Sequence, residues 1–196
     1  MFQVRIHGRG GQGVVTAAEM LSVAAFVGGR HAQAFPSFGS ERTGAPVVAF
    51  CRIADSPIRS REPIVAPDAL IIQDPTLLHQ VDVFSGLHRG GAILINSARS
   101  FEALGLGDFA AGFPAERLMT VPATELALEH VGRPLPNAAL LGAFAALCGL
   151  IQLADVQAAI EARFSGALAR GNVAAATAAH QWVRQQQRQP AEATDA

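Results

Sequence analysis

The chain contains no lysine, so all 15 of its basic residues are arginine. A P-loop nucleotide hydrolase would lack its phosphate-binding lysine here, and Schiff-base or pyridoxal-phosphate chemistry would lack its amine. Tyrosine is absent as well, which removes tyrosine acid/base mechanisms. The only two cysteines, Cys51 and Cys148, lie far apart and form no C-x-x-C pair. That spacing argues against a disulfide framework, an iron–sulfur site or a zinc site within the chain, and both thiols read as small buried hydrophobes. A net charge of −1 leaves no basic face for nucleic acid. The six histidines (7, 31, 79, 88, 130 and 180) show neither H-x-x-H nor H-E-x-x-H spacing, and no paired carboxylates or Ser/His/Asp set stands out. No catalytic residue and no metal ligand is therefore assigned. The longest apolar stretch, residues 138–153, is short for a bilayer and carries two glycines and a glutamine. With no charged leader and apolar core at the N-terminus, a soluble cytoplasmic protein is expected.

What is present is a chain of 196 residues, half of them apolar, enough for one compact α/β domain. Apolar runs at 3–7, 31–35, 47–53, 69–74, 91–97 and 118–121 read as strands, with 57–59 and 63–65 as a returning hairpin or edge. Helical patterns fall between or after them, at 14–28 (stopped by Gly28 and Gly29), 124–130 with Thr124 as cap, 137–150, 154–164 and 173–188. Continuous apolar strands alternating with helices predict a Rossmann-like α/β fold. Its sheet should be mainly parallel, with helices on both faces and further helices at the C-terminus. Residues 1–188 form the domain, and 189–196 are expected to be a disordered tail.

The most informative segment is Gly8-Arg9-Gly10-Gly11-Gln12-Gly13, set between the first strand and the first helix. In that context a G-x-G-x-x-G spacing has a physical meaning: glycines let the backbone turn sharply and point N–H groups outwards. The helix start then offers unpaired donors and a positive dipole end to a phosphate. The bland alternative is a glycine turn that only packs a helix close to a strand.

A dinucleotide-binding dehydrogenase also needs an acid at the end of the second strand to hold a ribose hydroxyl. That strand ends at Ala34-Phe35-Pro36 instead, which weakens a freestanding NAD-dependent enzyme without removing it. The loop that follows, residues 36–46, carries Ser37, Phe38, Glu41 and Arg42. Arg42 could clamp a phosphate or carboxylate bidentately, with Glu41 orienting it. A solvated turn with an exposed ion pair is the alternative.

Together, the turn at 8–13, the loop Pro36-Ser37-Phe38-Gly39-Ser40-Glu41-Arg42-Thr43-Gly44, Asp74-Pro75, the 91–97 strand and Asn137-Ala138-Ala139-Leu140-Leu141-Gly142-Ala143 resemble the gamma subunit of 2-oxoacid:acceptor oxidoreductases. The likeness runs over nearly the whole chain. One departure is that Glu41 adjoins Arg42 directly, where the family commonly has a methionine between the two. The resemblance implies a subunit that is not catalytic alone. Its partners would be alpha, beta and iron–sulfur (delta-type) subunits carrying thiamine diphosphate, Mg and [4Fe-4S] clusters. The complex would convert a 2-oxoacid oxidatively to an acyl-CoA and pass electrons to ferredoxin or to an NAD-linked flavin subunit. It further implies that this chain contributes to coenzyme A binding. On that basis the contacts are placed at Gly8, Arg9, Gly10, Gly11, Gln12 and Gly13, with Ser37, Phe38 and Arg42 nearby. Asn137 matches a family position but serves equally well as a helix cap.

Overall fold

The computed structural model describes residues 1–37 and 43–192. Six strands, β1 (Phe2–Arg9), β2 (His31–Pro36), β3 (Pro46–Ala54), β4 (Ala69–Ile72), β5 (Ala92–Asn96) and β6 (Leu118–Val121), form one sheet in the order β2-β3-β1-β4-β5-β6. β1, β4, β5 and β6 pair in parallel. β3 runs antiparallel to both of its neighbours, so β2 points the same way as β1. The α/β architecture and mainly parallel sheet expected from the apolar runs are present. The central strands are buried on both sides, which is why they read as continuous rather than alternating.

One face of the sheet is covered by regular helices: α1 (Val14–Val27), α4 (Asn137–Cys148), α5 (Leu153–Arg163) and α6 (Gly166–Glu192), with α3 (Ala123–Val131) beside them. α4 is buried along almost its entire length because it lies between the sheet and α6. α6 extends from Gly166 to Glu192, past Arg188 where the sequence pattern stops. No helix among the described residues is long and apolar enough to cross a membrane.

The second face is different. Its cover is mostly irregular chain plus a 3-10 turn at Pro75–His79, the one-turn α2 (Gly107–Ala110) and a 3-10 turn at Ala115–Arg117, packed on Ile72, Ile93 and Ile95. Two arginines projecting from the strands make irregular cover possible there. Arg5 donates to the carbonyls of Val83 (2.9 Å) and Ser85 (2.6 Å), and Arg52 donates to those of Ser60 and Glu62 while lying over the Phe35 ring. Carbonyls that a ladder would otherwise pair are satisfied by guanidinium groups. This corrects the hairpin expected at 57–59 and 63–65. Residues 55–68 form no strand, since Pro57, Pro63 and Pro67 withhold ladder donors and Arg52 takes the acceptors. A second correction concerns Thr124. α3 starts at Ala123, and the Thr124 N–H is capped by the Asn96 side chain of β5 (3.1 Å) rather than Thr124 capping the helix.

Candidate functional site

The order of the sheet reverses between β1 and β4, where the connections leaving the two strands diverge. Ligands of open α/β sheets bind in the crevice at that position. The loop leaving β1 is the glycine turn. Gly11 has φ +93° and Gly13 has φ +72°, left-handed values that favour glycine. Gly13 is the N-cap of α1 and provides no side-chain cap. Among the described residues, no acceptor takes the backbone N–H of Gly11, Gly13, Val14, Val15 or Thr16. These donors surround a cavity of about 320 Å³ lined by Arg9, Gly10, Gly11, Gly13, Val14, Val15, Thr16 and Val47. Unpaired amides at the positive end of a 14-residue helix form an anion-binding surface built from backbone alone.

The two long side chains of the turn have another task. Arg9 Nε donates to Asp74 Oδ2 (3.0 Å), Nη1 to the Gly44 carbonyl (3.0 Å), and Nη2 to Thr76 Oγ1 (2.7 Å) and Gln80 Oε1 (2.8 Å). Gln12 accepts from the Arg9 N–H (2.7 Å) and donates to Asp74 Oδ2 (2.9 Å). Asp74 caps the 3-10 turn after β4, with Thr76 donating both its N–H and its hydroxyl to Oδ1. Burial tends to raise the Asp74 pKa. The hydrogen bonds from Thr76 and Gln12 and the charge of Arg9 outweigh it and hold the carboxyl below its ordinary value. Arg9 and Gln12 thus fix the turn to the β4 loop.

Residues 43–45, which lead into β3, dock on the turn. Gly10 and Thr43 form a parallel bridge, Gly10 donates to the Ala45 carbonyl (2.9 Å) and Gly44 donates to that of Gly10 (3.1 Å). That end of the loop therefore lies beside the glycine turn. Ser37 is exposed and its N–H extends the ladder to the Val48 carbonyl (2.8 Å). Phe38 and Arg42, like Glu41, lie outside the described residues. Asn137 is the first residue of α4, not its cap, since Pro136 occupies that position. Its Oδ1 accepts from the Ala138 N–H, and its Nδ2 lies where it would be 2.7 Å from a Cβ on Gly13. The starts of α1 and α4 therefore meet. Asp74 as the anchor does not emerge from the sequence alone, although Asp-Pro-Thr is a recognisable helix-start pattern.

A larger cavity of about 840 Å³ lies at the opposite edge, between β6 and α6, over Phe101, Leu118, Met119 and Trp182. Glu102 and Glu116 line it, which disfavours an anion, and it is remote from the switch point. The smaller cavity lies at the switch point, beside the glycine turn.

Residues 3–182 match the family model described as pyruvate ferredoxin/flavodoxin oxidoreductase. The chain is 52% identical over 162 residues to pyruvate synthase subunit PorC of Methanosarcina barkeri, covering 83% of this chain and 86% of that protein. It is 49% identical over 176 residues to the pyruvate/ketoisovalerate oxidoreductases common subunit gamma of Thermococcus kodakarensis, covering 90% and 94%. The crystal structure of pyruvate oxidoreductase subunit PORC from Thermotoga maritima superposes with a TM-score of 0.77 at 34% identity, covering 92% of this chain and 95% of that one. These likenesses span the turn, the docked loop and the helical face together, and the chain belongs to the pyruvate ferredoxin/flavodoxin oxidoreductase family, in its gamma-subunit branch.

Proposed function

We propose that this chain is the coenzyme A-binding gamma subunit of a multi-subunit, thiamine diphosphate-dependent 2-oxoacid oxidoreductase, located in the cytoplasm. The observation that carries the proposal is the cavity at Gly11–Thr16, where backbone N–H groups without acceptors among the described residues converge at the start of α1. Coenzyme A brings a pyrophosphate and a ribose phosphate, both suited to such donors, and needs no ribose-holding acid at the end of β2. Phe35-Pro36 at that position is hard to reconcile with a freestanding NAD-dependent dehydrogenase, which is not favoured.

Within this reading, thiamine diphosphate, Mg and [4Fe-4S] clusters belong to alpha, beta and delta-type partners, and supply decarboxylation and electron transfer there. This chain holds the acyl acceptor by its phosphates and leaves the thiol end free to reach the partner's site. One relative at 49% identity is named as a subunit common to pyruvate and ketoisovalerate oxidoreductases. A gamma chain shared between two substrates does not itself choose the 2-oxoacid, which supports a substrate pocket in the partners. Pyruvate or a branched-chain 2-oxoacid is the substrate class expected, with ferredoxin or an NAD-linked flavin subunit receiving the electrons. The test is to tag the chain in its host and purify it gently without oxygen. Co-purifying chains that hold thiamine diphosphate and iron–sulfur clusters, with coenzyme A-dependent oxidation of a 2-oxoacid, are expected. A lone chain that binds NAD would overturn the proposal.

A further inference from the structure

We propose that Gln73 is a ligand-contacting residue that reads the amide-bearing arm of coenzyme A, a step that rests on assigning the glycine turn to that ligand. Gln73 directly follows β4 at the switch point. Side chains alternate along the strand, so Gln73 lies on the same face as Ile71, which packs into the helix-side core. The residue is 1% exposed, yet neither its Oε1 nor its Nε2 has a partner among the described residues. Its backbone is fully engaged. The N–H donates to the His7 carbonyl (2.7 Å), and the carbonyl accepts from Asn96 Nδ2 (2.8 Å). The residue is therefore held in place by its main chain while its amide is left over.

The amide ends beneath the turn. A Cβ on Gly8 would stand 3.1 Å from Gln73 Oε1, 3.1 Å from Gln12 Oε1 and 2.6 Å from Val14 Cγ2, so only glycine leaves room for both glutamines against the start of α1. Gln12 has a partner at each end of its amide, and Gln73 has none. Buried amides are almost always paired, and a methionine or leucine would fill the same volume without the penalty. A secondary amide presents one N–H and one C=O, the complement of what Gln73 offers. The pantetheine arm of coenzyme A contains two such groups, whereas its nucleotide half contains none. Binding of the phosphates by the turn would place the arm at the crevice between the β1 and β4 loops. Gln73 is 1% exposed and does not line the cavity at the turn, so the contact requires the arm to displace the cover over Gln73 at that crevice.

The test uses Gln73→Met in the full chain, a nearly isosteric change that removes donor and acceptor together. Coenzyme A and a nucleotide probe, adenosine carrying a 3′-phosphate and a 5′-diphosphate (the nucleotide half with its pyrophosphate but without the arm), are titrated separately by calorimetry, alongside thermal melts. The expected result is about tenfold weaker coenzyme A binding, nucleotide-probe binding within about twofold of the parent, and an unchanged or higher Tm. A lower Tm with an unchanged ratio of the two affinities means that the amide serves only the fold, and overturns the proposal. Should the variant not fold, the Gln73 side-chain amide resonances of the parent chain are followed instead. Movement with coenzyme A but not with the nucleotide probe supports the contact, and equal movement with both overturns it. A parent chain that binds the nucleotide probe as tightly as coenzyme A removes Gln73 while leaving the turn assignment standing. One that binds neither removes both.

Discussion

Arg9 and Asp74 face each other across the switch point of the sheet, with Nε and Oδ2 3.0 Å apart and both side chains largely buried. Asp74 also receives Gln12 and two donors from Thr76, so one carboxylate fixes the glycine turn and caps the next helical turn. Asp74→Ala leaves Arg9 Nε and Gln12 Nε2 without their acceptor and is expected to cost roughly 1–3 kcal/mol. Arg9→Ala should cost a similar amount, and the double variant less than the sum, because the two residues share partners. The sign with pH follows from the lowered carboxyl pKa. The native state favours the ionised form, so the stabilisation is complete above the unfolded value of about 4 and is lost as pH falls through the folded one. Denaturant titrations followed by the single tryptophan, Trp182, at neutral pH and near pH 3 would check this. A deficit in Asp74→Ala that persists undiminished in acid would count against it.

Gly11 offers a direct probe of the anion surface. Its φ of +93° disfavours most side chains, but nothing lies within 4 Å of a Cβ placed there. Asn and Asp are the residues most tolerant of left-handed backbone, so Gly11→Asn and Gly11→Asp should fold at a comparable cost of about 1 kcal/mol. The two variants differ by one negative charge set among the α1 amides. Coenzyme A affinity should fall about tenfold or more further in the aspartate variant than in the asparagine one, with the gap narrowing in high salt. Equal losses in both would show that the phosphates bind elsewhere.

How far the sequence discloses this site depends on the range of the interactions. The strand–turn–helix around Gly8–Gly13 is local, and the positive φ of Gly11 and Gly13 is what glycine at those positions suggests. The commitment of Arg9 is not local: its partners lie 35 to 71 residues away, and nothing in a one-dimensional pattern separates an arginine that clamps phosphate from one that clamps a loop. Pro75 marks the end of β4 in the sequence, but the 3-10 turn that Asp74 caps and its role as the anchor for β1 needed the sheet order. Residues 57–59 and 63–65 each read as a short strand because an isoleucine follows a proline there, while the groups that decide their conformation are side chains of the sheet: Arg52 of β3, 8 and 10 residues from its acceptors, and Arg5 of β1, 59 residues from Ile64.

His7 carries a second pH signature, distinct from that of Asp74. It is buried on the irregular side of β1, and its Nε2 accepts from Arg5 Nε at 3.0 Å, so the ring is neutral with its proton on Nδ1. Burial first, and the neighbouring guanidinium second, push its pKa down to about 4. The unfolded chain, titrating near 6.5, binds the extra proton first. Stability should therefore be full above that value and decline as pH falls from it towards about 4, by on the order of 3 kcal/mol at most. His7→Gln can retain an acceptor for Arg5 and has no proton to gain. It should flatten the slope of stability against pH between those values while leaving the slope below pH 4 to Asp74. An unchanged slope would mean that another group governs this range.

Gly142 lies in the Asn137–Ala143 segment that contributes to the family likeness, yet its surroundings assign it to packing. A Cβ there would run into the Ala176 carbonyl of α6. Both elements are helices held against the sheet, and the obstacle is backbone, so neither can turn aside as a flexible side chain would. Gly142→Ala gains up to about 1 kcal/mol in helix propensity. Overpacking is expected to exceed that gain, giving a net loss of roughly 1–3 kcal/mol and a Tm lowered by about 2–4 °C per kcal/mol. Because the start of α4 meets Gly13 several residues away, the folded fraction should keep its coenzyme A affinity. Calorimetric melts and ligand titration on the same variant separate the two effects. Weaker binding with an unaltered Tm would place Gly142 in the ligand site and contradict its role as the close-contact point between α4 and α6.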